Sequence, residues 1–309
     1  MSMKMQRGMS LIELMIAIAI GLVIMLAMTQ VYMSGYGVQR AQTDTAQLNE
    51  TARFSFDLLS RELKKSGYRN AWAVGSSTPA PLCAATSANL GSLSGLNDPT
   101  KVNPASSDFT GGTQVAVANL SDVLRVRFYG ESFTKNGATI ASSTAATAAM
   151  LDCQGYPVAQ NQLVEDTLYV AKDPNNNNEP TLFCNTSNPT PVVGTTHPGP
   201  MALVSGVESM QLLYGEDTDA DGIVNQYVPW NKVVNSDHIL SVKVSIVARS
   251  PNAVGVASPT TAFQHFNAQY PASGNSDLGA VFTPPVPTDN RIRQMLSTEI
   301  AVRNFNSCP

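Results

Sequence analysis

From Leu14 to Met28 the chain reads LMIAIAIGLVIMLAM, a run without a polar side chain. The apolar character extends back to Met9 and on to Met33, with Glu13 as the one charge in the segment. About 20 such residues cross a hydrocarbon core of roughly 30 Å as a helix, so this stretch sets the first constraint on the fold. Lys4 and Arg7 precede it, and the next basic residue is Arg40. That asymmetry puts the N-terminus in the cytoplasm and the remainder across the membrane. A secretory signal would have a shorter apolar region and an Ala-x-Ala-like cleavage site, and neither is present. A plain signal-anchor leaves Glu13 unexplained. A carboxylate at that depth costs about 2.5–3.5 kcal/mol and marks a partner or a function.

Beyond the apolar run the helical period persists. Leu48, Ala52, Phe56, Leu59 and Leu63 recur on one face, with Arg53, Asp57, Glu62 and Lys64 off it. The first proline is Pro79, and Gly67 is a natural stop. The pattern predicts one helix from about Ser10 to Ser66, whose polar second half needs a sheet to cover its stripe. Residues 71–110, rich in Ser, Pro, Gly, Ala and Asn, read as a long loop or irregular layer. Strands are expected at Gln114–Ala118, Val123–Tyr129, Asp166–Ala171, Thr181–Cys184, Gly206–Tyr214, His238–Arg249 and Ser297–Asn304. Within Ser241–Arg249, Val242, Val244, Ile246 and Ala248 alternate with polar residues, as in a half-buried antiparallel strand. Residues 136–149, 173–180 and 252–287 read as loops.

The residues at the start of the run carry a recognisable motif. Arg7-Gly8-Met9-Ser10-Leu11-Ile12-Glu13-Leu14 resembles the prepilin leader of type IV pilins and type II secretion pseudopilins. The resemblance implies that a prepilin peptidase cuts after Gly8 and methylates Met9, which stands where the family usually has Phe. It further implies that Glu13 meets the N-terminal amine of a neighbouring subunit during assembly. Opposite charges attract strongly in a low dielectric, and pairing removes the cost of leaving either alone. Patches farther on resemble PilW-type minor pilins, related to the J-type minor pseudopilins. They are Ala52–Phe54, Arg61–Leu63, Ser66–Tyr68, Asp166–Val170, Val204–Gly215 and Ile300–Asn304, and they thin out from 71 to 160. The implied fold is α+β, a pilin-like long N-terminal helix packed on an antiparallel β-rich head. The expected organisation is a leader at 1–8, a transmembrane helix at 9–33, an amphipathic extension at 34–67 and a head at 68–309. The implied role is that of a minor pilin priming assembly or sitting in a tip complex. Other minor pilins, a PilY-type tip protein and the major pilin would be its partners. The protein would sit in the inner membrane with a periplasmic head, then in the pilus. A type II secretion pseudopilin and a tip adhesin are the alternatives.

Two other clusters bear chemistry. Asp217, Asp219 and Asp221, followed by Gly222 and Asn225, resemble the first half of a calcium loop. The twelfth position of an EF-hand loop would be Glu and is Val228, so a solvated hairpin tip is the competing reading. Any cofactor would be Ca²⁺. The cysteines Cys83, Cys153, Cys184 and Cys308 all follow the apolar run, and no two form a Cys-x-x-Cys pair. An even number in a translocated head favours disulfides with three pairings open, of which Cys153–Cys184 with Cys83–Cys308 is the first to test. His197, His238 and His265 are scattered, and Gly91–Gly95 carries Leu93 where a nucleophile elbow needs serine, so nothing supports an enzyme. Net charge is −4 with no basic run beyond Lys64-Lys65, which gives nucleic-acid binding no support.

Overall fold

A computed structural model describes residues 10–69, 82, 91–131, 134–135, 138–139, 150–188, 199–253, 262–266, 281–284 and 289–303. Helix α1 spans Leu11–Lys65 without a break, on the order of 80 Å at 1.5 Å per residue. Ser10 caps it in an extended conformation, and the Glu13 carboxylate accepts the Ser10 N–H at 3.2 Å. Lys64 and Lys65 in the last turn suit the negative end of the helix dipole. The chain leaves through Gly67 at φ +71°, where a side chain would be strained, and its N–H bonds to Arg127 O at 2.9 Å.

The strands in chain order begin with β1 (Leu93–Leu96), β2 (Lys101–Val102), β3 (Val115–Ala116) and β4 (Val123–Tyr129). Next come β5 (Thr134–Lys135), β6 (Ala138–Thr139), β7 (Leu163–Asp173), β8 (Glu179–Thr186) and β9 (Met201–Ser205). The last are β10 (Val207–Glu216), β11 (Gln226–Val228), β12 (Ile239–Ala253), β13 (Phe263–Gln264), β14 (Val281–Phe282) and β15 (Arg291–Ala301). Two antiparallel sheets dominate, ordered β1-β4-β7-β8-β9 and β11-β10-β12-β15. The chain passes from the first to the second at Gly206, φ +88°, where an added Cβ would lie 3.1 Å from Arg249 O. Across the sheets, Asp122 accepts the Leu212 N–H at 2.7 Å and donates its own N–H to Met210 O.

One core joins helix and sheets. Leu58, Leu59 and Leu63 of α1 meet Leu124, Val126, Phe128, Leu168 and Leu182 of the first sheet and Met210, Leu212, Val242, Val244 and Ile300 of the second. Farther up the helix, Leu48 and Ala52 pack against Ala248. The predicted stripe is therefore the buried face, with two corrections. Phe56 is only half-buried. Glu62, placed off the stripe, is fully buried because the Lys65 ammonium turns onto it at 2.5 Å.

The strand predictions hold in place more than in extent. β4 has the predicted bounds, whereas β15 begins at Arg291, six residues before the predicted start at Ser297. Residues 71–110, expected to be irregular, contribute β1 and β2, and the loop around them covers the second face of the first sheet. There Phe109 stacks on Arg125 at 3.9 Å, and Arg125 donates to Ser106 O and Ser107 O. The short strands β6, β13 and β14 likewise fall in segments read as loops, and β9 was not foreseen. β12 is not half-buried. Ser245 and Val247 on its second face are both inaccessible, and Ser245 bonds His265 at 2.9 Å.

Candidate functional site

The uncovered end of the molecule is the first half of α1. Every residue from Ser10 to Arg40 is exposed, including Leu11, Ile12, Leu22, Val23, Met25 and Leu26. Among the described residues this is the one helix long and apolar enough to cross a membrane, and none of its apolar window is buried. Apolar surface on this scale is not left to water in a finished assembly. Burial on the head side begins at Asp44, whose carboxylate accepts the Asn252 side-chain N–H at 3.0 Å. Glu13 lies in the first turn, where a carboxylate favours the helix dipole, and it takes only the Ser10 N–H among the bonds found. Gly8 and Met9 lie outside the described residues.

The aspartate cluster sits where the sequence puts it, at the tip of the hairpin between β10 and β11. The Asp217, Asp219 and Asp221 carboxylates converge within 4.8 Å of one another. Burial pushes the Asp217 carboxyl up. Backbone N–H groups, Gly222 foremost at 2.7 Å, and a hydrogen bond with Asp219 outweigh that and hold it below the ordinary carboxylate value. Asp221 accepts the Ile223 N–H at 2.8 Å. Asn225 is turned to a different task, its carbonyl accepting both the backbone and the hydroxyl of Thr218. The loop thus closes through its own hydrogen bonds, with three carboxylate oxygens near enough to share one hard cation.

Cys153 and Cys184 are joined, their Cα atoms 6.3 Å apart. Cys184 lies on β8 opposite Leu168 of β7, so the bridge pins the segment around residue 153 to the middle of the first sheet. Cys83, Cys308 and His197 lie outside the described residues. His238 meets Asp217 O at 3.1 Å, and His265 is enclosed between Ser209 and Ser245. Burial pushes the His265 imidazole down to about 4.

Sequence reasoning missed two charged clusters. Glu208, Glu179 and Asp289 interlock with Arg249, Arg291 and Arg293 across β8, β10, β12 and β15. Glu62 and Lys65 of α1 meet Asp166 of β7 beneath the first sheet. The second cluster had a signal in the sequence. Asp166 shares a strand face with Leu168 and Val170, two and four residues on, which places a carboxylate on the core face. Glu62 follows Leu58 and Leu59 at helical spacing, which places it on the buried stripe.

A membrane-length helix whose second half serves as the spine of an antiparallel β head is the architecture of a pilin-like subunit. The comparisons with known proteins bear on both ends of this chain. Residues 3–29 match the prokaryotic N-terminal methylation motif, and residues 167–304 match the type IV pilus-assembly protein W family. These two matches support a minor pilin of the PilW type, acting in type IV pilus assembly. No curated protein matches it. A solved type IV-like pilin from Thermus thermophilus is similar over 84% of this chain and 96% of its own, at 13% identity and a TM-score of 0.43.

Proposed function

We propose that this minor pilin primes fibre assembly from the inner membrane and stays at or near the fibre tip. The observation that carries the reading is the contrast within α1. Its first half offers an unbroken apolar surface with a single carboxylate, while its second half is already built into the head. In this reading residues 1–8 are the leader, a prepilin peptidase cuts after Gly8, and Met9 becomes the methylated N-terminus. Residues 9–33 hold the protein in the membrane with the N-terminus cytoplasmic and the head, residues 68–309, periplasmic. Extraction into the fibre then exchanges lipid for the helices of neighbouring pilins. Glu13 supplies the pairing step, taking the free amine of the neighbouring subunit in place of the weak Ser10 contact. The head contacts other minor pilins and a PilY-type tip protein.

The experiment is a piliation assay on a deletion strain complemented with the wild-type chain or with Glu13→Ala. We expect loss of fibres in the deletion, restoration by the wild type, and a cleaved but unincorporated Glu13→Ala protein. Normal fibres in the deletion strain that no longer adhere would point to a dedicated adhesin. Co-purification with secretion components instead of pilus proteins would point to a pseudopilin. Incorporation of Glu13→Ala at the wild-type level would remove the role given to that carboxylate.

A further inference from the structure

The last turn of α1 presents a lysine to two carboxylates that have no access to water. Lys65 Nζ lies 2.5 Å from Glu62 Oε2 and 3.4 Å from Asp166 Oδ2, and it donates to Leu151 O at 2.9 Å. Both carboxylate side chains are fully buried, while the lysine is about one-tenth exposed. The Phe128 ring lies against the ammonium at 4.4 Å. Asp166 Oδ2 also accepts the Cys153 N–H at 2.9 Å, which helps to hold the carboxyl in place. Arg61 also reaches Glu62, 3.7 Å from Oε1, but its side chain is mostly exposed, so Lys65 is the cation enclosed with the two carboxylates and negative charge there is costly in a low dielectric. Burial pushes the Asp166 carboxyl up; Lys65 and a hydrogen bond with Thr186 oppose that, while Glu62 and Asp152 add to it, and the net result favours the neutral acid.

The three groups then form a reactive set. A neutral carboxylic acid is open to attack at its carbonyl carbon, and a lysine amine is a nucleophile once it loses a proton. Glu62, in contact with Nζ, is placed to take that proton.

We propose that Lys65 and Asp166 become joined by an intramolecular amide bond, with Glu62 as the proton acceptor. The balance needs no outside reagent. The ammonium gives one proton to Glu62, and the amine lone pair forms the Nζ–Cγ bond with Asp166. The Cγ–OH bond breaks, and the hydroxyl leaves as water with a second proton from Nζ. What remains is a neutral amide beside a neutral Glu62, so the product carries no charge where the reactants buried an ion pair. Lys65 Nζ is held 3.4 Å from an oxygen of the Asp166 carboxyl, and fixing the two groups beside each other removes the entropy cost that slows the same reaction between free partners. Exclusion of water protects the bond once made. A plain ion triad has the same starting geometry, and the two differ in mass.

The test is high-resolution mass spectrometry of the full chain, purified from membranes in detergent and reduced so that every cysteine is a thiol. The expected mass is one water below that calculated from the observed N-terminus. Proteolysis should yield a branched peptide joining the Lys65 and Asp166 segments, with no tryptic cut after Lys65. Lys65→Arg, Asp166→Ala and Glu62→Gln should each return to the full calculated mass. An unmodified mass for the wild-type chain, or efficient cleavage after Lys65, overturns the proposal whether or not the variants fold.

Discussion

His265 is held on both sides, its two ring nitrogens 3.0 and 2.9 Å from the Ser209 and Ser245 hydroxyls, with no access to water. Burial lowers its pKa from 6.5 to about 4, which makes it a pH-dependent element of stability. Between these values the unfolded chain binds a proton that the folded chain refuses, so stability falls as pH drops from 6.5 towards 4. The shift corresponds to a loss on the order of 3 kcal/mol at the bottom of that window. Thermal melting at pH 7 and pH 4.5 should show a smaller drop for His265→Gln than for the wild type, and equal drops would remove this role. From sequence a lone histidine among loop residues gave no sign of this enclosure, because the two serines lie on strands far away in the chain. Alternation alone did place carboxylates and guanidinium groups on strand faces. It could not show that the faces of Arg125 and Ser245 would be roofed by other segments, since the roofs come from loops without a period of their own.

At the scale of elements, α1 is two helices in one. Its second half keeps a stripe of Leu48, Ala52, Leu59 and Leu63 at no measurable exposure, while its first half is exposed along its whole length. Leu59→Ala should therefore cost roughly 2–5 kcal/mol in the unfolding of the head, by lost transfer energy and the cavity left behind. Leu22→Ala should leave the same transition unchanged. Chemical denaturation of both variants in detergent checks the pair, and equal effects would contradict the division. This element was the most legible in the sequence, since its period and its glycine stop are local signals. The sheets were legible where β-branched residues alternate, as in β4 and β12. They were obscure where pairing is imposed from outside, as in β1 (Leu93–Leu96), a Ser- and Gly-containing segment held by β4 on one side. The carboxylate turn between β10 and β11 was visible as a cluster, but the engagement of Asn225 with Thr218 was not.

At the scale of the molecule, exposed apolar surface is confined mainly to one end. Removing residues 1–33 should convert a protein that requires detergent into a monodisperse soluble head, measured by sedimentation without detergent. Persistent association of the truncated chain would mean that the head carries a further sticky surface. The two sheets meet at Gly206 and share a core with α1, so that core belongs to neither sheet alone.

In the proposed role as a fibre subunit, the molecule is also a mechanical part. Load applied to the exposed half of α1 reaches the head through a helix that stays in contact from Leu48 to Lys65, about 25 Å at 1.5 Å per residue. Tension is then borne as shear over several turns together and not peeled from one contact at a time. The anchor at the far end, where Lys65 meets β7, is the last to feel it, and the disulfide from Cys153 to Cys184 ties the turn behind that anchor to β8.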